Sequence, residues 1–173
     1  KGATPAPRAV YPDLQGKTVL ISGGASGIGL SLVEAFSRQG ACTAFVDIAA
    51  DAGRNLEARL REEGGKVAFT HCDITDMHAW QGAVYEVAEA YGPITVLLDN
   101  AGNDVRHTLD AIDFDRFEEL VAVNLKQAMF AAQAVAPMAL QLDFEVTVFD
   151  DRPTFASRQF FPEGTRLRVG AWD

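Results

Sequence analysis

The sequence has little of what marks secreted, membrane-spanning or nucleic-acid-binding proteins. Two cysteines among 173 residues provide no disulfide framework, so two reduced thiols in the cytoplasm are expected. No apolar run approaches the ~20 residues that cross a bilayer. Acidic residues outnumber basic ones by 24 to 15, for a net charge of −9, and no basic cluster stands out. Nucleic acids and anionic membrane surfaces are therefore disfavoured as partners.

What the sequence does contain is a regular alternation of short β-rich runs with amphipathic stretches. Apolar residues recur at helical spacing over residues 28–39, 50–63 and 76–91. The strands are predicted at Thr18–Ser22, Thr43–Asp47, Val67–His71 and Ile94–Leu98. Strands separated by helices of this length indicate right-handed crossovers and a parallel sheet.

A long helical region follows the fourth strand, over residues 114–142, and Pro137 is expected to kink or end it. A fifth strand is predicted at residues 144–149. The fold class is therefore α/β, a Rossmann-type doubly wound parallel sheet of about five strands in order 3-2-1-4-5. The predicted parts are an extended lead-in (1–15), a single dinucleotide-binding domain (16–150) and a C-terminal tail (151–173).

A glycine-rich loop connects the first strand to the first helix. It reads Ser22-Gly23-Gly24-Ala25-Ser26-Gly27-Ile28-Gly29. Glycines let a backbone approach a pyrophosphate closely, and a helix N-terminus offers N–H groups to the anion. We therefore predict that amides from Gly23 through Gly29 hold a dinucleotide, although a purely structural turn is the alternative. The predicted contact residues in this loop are Ser22, Gly23, Ser26, Gly27, Ile28 and Gly29.

Asp47 ends the second predicted strand and is followed by Ile48 and Ala49. A carboxylate at this place accepts hydrogen bonds from the adenosine ribose and repels a 2′-phosphate. No Arg or Lys adjoins it, so we predict contacts from Asp47 and Ile48 and a preference for NAD over NADP. The alternative is an ordinary strand-end Asp that caps the next helix.

These residues resemble the short-chain dehydrogenase/reductase family over about residues 14–138. The loop is similar to the family's Thr-Gly-x-x-x-Gly-x-Gly, with Ser22 for Thr. Asp73 and Ile74 match its adenine-side pair, and Asp99-Asn100-Ala101-Gly102 is similar to its Asn-Asn-Ala-Gly turn. Asn124 matches the helix asparagine that organises a proton relay. The resemblance implies NAD as cofactor, contacts from Asp73, Ile74, Asn100, Ala101 and Gly102, and Asn124 as the one surviving catalytic position.

The resemblance ends before the family's catalytic residues. Its Tyr-x-x-x-Lys pair is absent, since Tyr11, Tyr85 and Tyr91 are the only tyrosines, and the fifth strand runs into Asp150-Asp151 instead of the catalytic serine. The resemblance thus implies an NAD(H)-binding alcohol or sugar dehydrogenase whose catalysis is impaired by these absences. A sugar substrate is included because stretches 102–107 and 131–137 look similar to members that oxidise sugars at C1. The alternatives are a non-catalytic dinucleotide-binding module and an accessory or interaction protein.

The end of the chain has a second resemblance. Residues 136–163 look like the Rossmann part of xanthine dehydrogenase accessory factors, but no glycine occurs between Gly102 and Gly164 to form a phosphate loop. The two patterns meet near residues 136–140. With the rest of the family's sheet missing, apolar surface on helical residues 114–141 is expected to be exposed or to form a homo-oligomer.

A metal site is not expected. His71, Cys72, Asp73 and His78 cluster in sequence, but strand alternation sends His71 and Cys72 to opposite faces. Ligands of a zinc ion must instead converge on one point.

Overall fold

Four parallel strands form the central sheet of the computed structural model, which describes residues 9–139 and two short strands further along the chain. The sheet order is β3-β2-β1-β4. The strands are β1 (Thr18–Ser22), β2 (Cys42–Asp47), β3 (Lys66–His71) and β4 (Ile94–Leu98). All three pairings are parallel, with Thr18 opposite both Cys42 and Ile94. The predicted α/β Rossmann fold and the order 3-2-1-4 are confirmed.

Helices connect the strands in the predicted places. They are α1 (Gly27–Arg38), α2 (Ala50–Glu62), α3 (Met77–Tyr91), α4 (Phe114–Val121) and α5 (Gln127–Ala139). Asp76 starts α3 because its carboxylate accepts the N–H groups of His78 and Ala79 at 3.0 and 3.1 Å. Asp113 starts α4 in the same way, through the N–H of Arg116 at 2.8 Å.

The predicted single helix over residues 114–142 is two helices. A π turn, Ala122–Lys126, separates α4 from α5, and the N–H of Gln127 bonds to the carbonyl of Ala122. Pro137 lies inside α5, which continues to Ala139, so the helix does not end at this proline as expected. A proline in the last turn removes only one of the helix's hydrogen bonds, which explains its tolerance there.

Two apolar layers cover the two faces of the sheet. Val19 and Ile21 of β1 pack with Val33 of α1 and with Leu60 of α2. Leu20, which points the other way, belongs to a second cluster that includes Trp80 and Val84 of α3 and Ala131 of α5. Burial on both faces explains apolar strand sequences that do not alternate. Because both faces of the sheet are covered, a ligand site is expected at the carboxyl ends of the strands.

The predicted fifth strand forms, as β5 (Glu145–Phe149), but not beside β4. It pairs in parallel with β6 (Arg166–Gly170) in a separate two-stranded sheet, with Glu145 opposite Arg166. The backbone groups of β5 thus find a partner in the tail itself, which corrects the predicted position 5. Residues 140–144 and 150–165 lie outside the described residues, and with them part of the predicted junction, Asp150 and the 150/151 domain boundary.

Candidate functional site

A cleft of about 800 Å³ lies at the carboxyl ends of the strands. The loops after all four strands contribute to its wall, as the switch-point rule for open α/β sheets requires. The lining includes most of the predicted cofactor contacts: Gly23, Ser26, Gly27, Ile28, Gly29, Asp47, Ile48, Asp73, Ile74, Asn100, Ala101 and Gly102.

Five further residues line the cleft that sequence reasoning did not assign to it: Thr75, Asn103, Asp104, Glu119 and Val123. Thr75 and Asn103 directly follow the predicted contacts Ile74 and Gly102, so their places in the cleft could have been inferred from these neighbours. Glu119 and Val123 belong to α4 and the π turn, and only the tertiary fold brings them to the strands. No spacing rule connects them with the glycine-rich loop.

The first half of the glycine-rich loop is docked on β2. The N–H groups of Gly23 and Gly24 donate to the carbonyl of Val46 at 2.9 and 3.2 Å. The N–H of Ala25 donates to Oδ2 of Asp47 at 2.9 Å. These three amides are therefore not free for a ligand, which corrects the expectation that amides from Gly23 onward all hold a pyrophosphate. The loop leaves the sheet here, and its buried donors need protein acceptors.

The second half of the loop carries the free donors. Among the described residues, no acceptor takes the N–H of Gly27, Ile28 or Gly29 at the start of α1. Ser26 occupies the N-cap in an extended conformation, but its side chain makes no capping bond. Unpaired N–H groups and the positive end of the helix dipole together favour an anion at this point.

Two glycines allow this arrangement. Gly23 has φ of +67°, a conformation that L side chains rarely adopt, and lies against Ala101. A Cβ on Gly29 would overlap the carbonyl oxygen of Gly23 and lie 2.7 Å from Nδ2 of Asn100. Helix α1 can approach the strand ends closely because position 29 has no side chain.

Ser22 and Asn100 tie β1 to the chain after β4. The hydroxyl oxygen of Ser22 accepts the N–H groups of Asn100 and Ala101, both at 3.1 Å. Nδ2 of Asn100 donates to the carbonyls of Ser22 and Gly23, also at 3.1 Å. Ser22 is fully buried and does not line the cleft. Its place is beneath the predicted contacts, where it supports them.

Two carboxylates stand on the β2–β3 side of the cleft. Asp47 is half-buried, and its Oδ1 accepts the N–H of Ala49 at 2.9 Å while Oδ2 holds Ala25. Oδ1 of Asp73 accepts the N–H of Thr75 at 2.9 Å and its hydroxyl at 2.7 Å. Oδ2 of Asp73 takes no hydrogen bond from the described residues and so keeps its capacity for a ligand.

Asn124 lies in the π turn and contacts the loop after β4. Its Oδ1 accepts the N–H of Asn103 at 2.8 Å, and its Nδ2 donates to the carbonyl of Asn103 at 3.0 Å. Asn124 does not itself line the cleft, but it holds a residue that does. Interruptions of this type within helices frequently occur at functional sites.

Other titratable groups are less suited to chemistry. Burial raises the pKa of the Cys72 thiol to about 11, with a smaller contribution from Asp73, so the thiol stays protonated at neutral pH. Within the described residues no group of three or more His, Cys, Asp or Glu side chains is placed to hold a metal ion. The same residues include no helix of the length and apolarity needed to cross a membrane.

The sheet order and the cleft define a Rossmann-type α/β domain. More narrowly, the chain belongs to the short-chain dehydrogenase family, whose model matches residues 17–143. A probable galactose dehydrogenase of Rhizobium meliloti is 41% identical over 132 residues, which are 76% of this chain and 52% of that protein. A D-xylose 1-dehydrogenase of Caulobacter vibrioides is 42% identical over 129 residues, 75% of this chain and 50% of the relative. The chain thus spans about half the length of the curated relatives it matches.

Solved structures give the same fold. An NADH-dependent reductase complexed with NAD has a TM-score of 0.69 at 30% identity, with 75% of this chain and 54% of that chain covered. A short chain dehydrogenase from Burkholderia cenocepacia in complex with NADP has a TM-score of 0.71 at 29% identity, with 78% and 55% covered. Neighbours of both cofactor types therefore share this architecture.

Proposed function

We propose that this chain binds NAD(H) in the cleft, as the dinucleotide-binding part of an oxidoreductase that acts on a small alcohol or sugar. The observation that carries the proposal is the set of unpaired amides of Gly27, Ile28 and Gly29 beside the carboxylate of Asp47. Those amides suit a pyrophosphate and the carboxylate suits the adjoining ribose.

The strand order supports one orientation of the cofactor. Asp73 and Ile74 follow β3 and Asp47 ends β2, so the adenosine half lies over that side of the sheet. The pyrophosphate then meets the start of α1 above β1. The reactive ring lies beyond, toward the segment after β4 that contains Asn100, Ala101 and Gly102. This direction combines the order 3-2-1-4 with the roles proposed for Asp47 and Asp73.

The preference for NAD over NADP is also a proposal. Asp47 places a negative charge where a 2′-phosphate would lie, and Ile48, which is 68% exposed, offers no cation in compensation. Solved relatives contain one cofactor or the other, so support for NAD comes from these two residues of the chain itself.

Turnover requires more than this chain supplies. When bound, the cofactor provides the hydride chemistry. The chain contains neither a Tyr-x-x-x-Lys pair nor a tyrosine after Tyr91 to move the substrate proton. We therefore propose NAD(H) binding with impaired or no catalysis, and Asn124 as a residue that orders the loop near the reactive ring. The absence of the Tyr-x-x-x-Lys pair favours the second candidate, a non-catalytic dinucleotide-binding module in the cytoplasm.

The test is a titration with NADH followed by quenching of tryptophan emission. We expect saturable binding, tighter for NADH than for NADPH, and no reduction of NAD with D-xylose or D-galactose. Substitution Asp47→Ala should weaken NADH and narrow its advantage over NADPH. Failure to bind either dinucleotide would reject the proposal, and sugar-dependent NAD reduction would reject the claim of impaired catalysis.

A further inference from the structure

We infer that Asp47 is a positioning residue for the glycine-rich loop, which it holds in the anion-binding conformation before any cofactor arrives. This role is separate from the contact with a ribose. Its purpose rests on the proposed function, but the hydrogen bonds that carry it belong to the protein alone. Selection of the cofactor and the conformation of the phosphate loop would then depend on one side chain.

The docking of the loop identifies Asp47 as the replaceable contact. Gly23 and Gly24 both bond to a backbone carbonyl, that of Val46, which every residue at position 46 retains. Ala25 differs, because the acceptor of its N–H is the side chain of Asp47 at 2.9 Å. Ala25 is only 4% exposed, so water cannot readily replace that acceptor.

The contact also lies at the point where the loop changes role. Ala25 is the last loop residue whose amide bonds to the protein, and the unpaired amides begin at the next residue, Ser26, and continue through Gly29. Fixing Ala25 therefore fixes the entry of α1, on which the direction of those free N–H groups depends. A loop released at Ala25 would keep the same donors but lose their common direction.

The carboxylate has room for both tasks. Oδ1 accepts the N–H of Ala49 and Oδ2 that of Ala25, each at 2.9 Å. An ionised carboxylate has about four acceptor positions, so about two remain for ribose hydroxyls. An asparagine at this place offers one oxygen to two donors and turns an NH₂ group toward one of them. It can therefore replace the aspartate only in part.

The consequence concerns cofactor choice. A 2′-phosphate beside Asp47 would repel the same carboxylate that holds Ala25, so it would disturb the loop as well as the ribose contact. Substitutions at position 47 that aim to admit NADP should therefore loosen the phosphate site unless another acceptor for the N–H of Ala25 is introduced.

Amide hydrogen exchange of the cofactor-free chain provides the test. In Asp47→Ala the amide of Ala25 should exchange at least about tenfold faster, the factor expected for loss of a hydrogen bond to a charged acceptor. The effect should be smaller in Asp47→Asn. Amides of Val19 and Leu20 in β1 report on global unfolding, and their exchange should accelerate by a smaller factor than that of Ala25. Asp73→Ala is the matched control, because it removes a cleft carboxylate that bonds to no amide of the glycine-rich loop.

A second measurement separates positioning of the loop from contact with the ribose. Inorganic pyrophosphate has no ribose, so its affinity, followed by phosphorus NMR, does not depend on a ribose contact of Asp47. Removal of a negative charge in Asp47→Ala would by itself strengthen binding of this anion. We expect the opposite, a loss of about threefold or more, because the free amides no longer converge.

The outcomes are distinct. Unchanged exchange at Ala25 in Asp47→Ala, or pyrophosphate that binds Asp47→Ala as well as the parent chain, would overturn the inference. Faster exchange at Ala25 together with an equal change in Asp73→Ala would also overturn it. A chain that binds no NADH but still shows the specific effect at Ala25 would reject the proposed function and retain the role of Asp47 in the loop.

Discussion

The side-chain amide of Asn124 pairs with both backbone groups of Asn103, as one strand pairs with another. Its oxygen accepts the N–H at 2.8 Å and its nitrogen donates to the carbonyl at 3.0 Å. Because only backbone atoms of Asn103 take part, the contact recognises the path of the loop and is independent of the side chain at position 103. An aspartate at 124 would lack the donor, and a glutamine would carry the same amide one methylene too far from the loop backbone.

Substitution Asn124→Ala should loosen the loop that lines the cleft beside Gly102. We expect a loss of about 1 kcal/mol in the free energy of unfolding, since the two bonds are partly exposed, and weaker NADH binding. Asn103→Ala is the control, because it keeps both bonds to Asn124 and loses only the contact of its Oδ1 with the N–H of Val105. Urea denaturation and NADH titration of both variants are the measurements. An equal effect of the two substitutions would contradict the role given to Asn124.

Ser22→Ala should be more damaging to stability than its size suggests. The hydroxyl is fully buried and is the acceptor for the N–H groups of Asn100 and Ala101. Leaving such donors without a partner costs about 1–3 kcal/mol. Ser22→Thr keeps the oxygen and is the control. Chemical denaturation that ranks Thr at or below Ala in stability would show that the hydroxyl is not what matters at this position.

Gly29→Ala should abolish NADH binding, because its Cβ would overlap the carbonyl oxygen of Gly23 and force α1 away from the strands. Overpacking of this type costs about 1–3 kcal/mol. Gly82→Ala is the matched control, since Gly82 lies inside α3 with nothing within 4 Å of its added Cβ. That change should stabilise the chain by about 0.5–1 kcal/mol through helix propensity. Thermal unfolding measures the stability of both variants, and NADH titration measures their binding. Retained binding in Gly29→Ala would refute the claim that α1 approaches the strand ends too closely for a side chain at position 29.

Asp99 should make stability depend on pH between about 4 and 6. Burial raises the pKa of its carboxyl from 3.8 to about 6, although the residue keeps more than a third of its surface exposed. The folded state therefore holds a proton that the unfolded chain has released, and stability falls as the pH rises through this window. Asp99→Asn should remove that fall and be more stable at pH 7, by less than about 1 kcal/mol given the exposure.

The check on Asp99 is urea denaturation of the parent chain and the variant at pH 4 and pH 7. The difference between the two proteins should grow with pH. Glu89→Gln, on the exposed side of α3, controls for the loss of one negative charge from an acidic chain. A difference for Asp99→Asn that is the same at both pH values would contradict the assigned cause.

Helix α4 should mediate self-association. Phe114 and Phe117 are 92% and 57% exposed, and Leu125 of the π turn and Met129 of α5 are each 65% exposed. We predict that the parent chain sediments as an oligomer and that Phe117→Asp shifts it toward the monomer. Leu109→Asp changes a leucine in the preceding turn that is 95% exposed and is the control. A monomeric parent chain at high concentration would refute the prediction.

The strands and the first three helices were predictable because each has a local signal. The runs from Thr18 and Ile94 end where the pattern indicated, and glycines or prolines mark the breaks. Most of the cleft was also predictable, since the loops after parallel strands meet at one edge of the sheet. Resemblance added Asp73 and Asn100, which composition and periodicity alone do not single out.

Other features depended on tertiary contacts that leave no local trace. The π turn around Asn124 has an ordinary helical sequence, and its bonds to Asn103 appear only when α4 packs beside the loop. Likewise, nothing near Gly23 in sequence shows that its amide bonds to Val46. The pairing of β5 with β6 in preference to β4 was missed because strand runs carry no label for their partner.

The π turn also changes the rotational phase of α5 relative to α4. One additional residue advances the following helix by ~100° about its axis. The phenylalanines of α4 therefore turn outward while Ala131, Ala134 and Val135 of α5 face the sheet. Deleting one residue from Ala122–Lys126 would bring the two halves into a common phase. Burial of Phe117 and packing of α5 against Trp80 would then be incompatible.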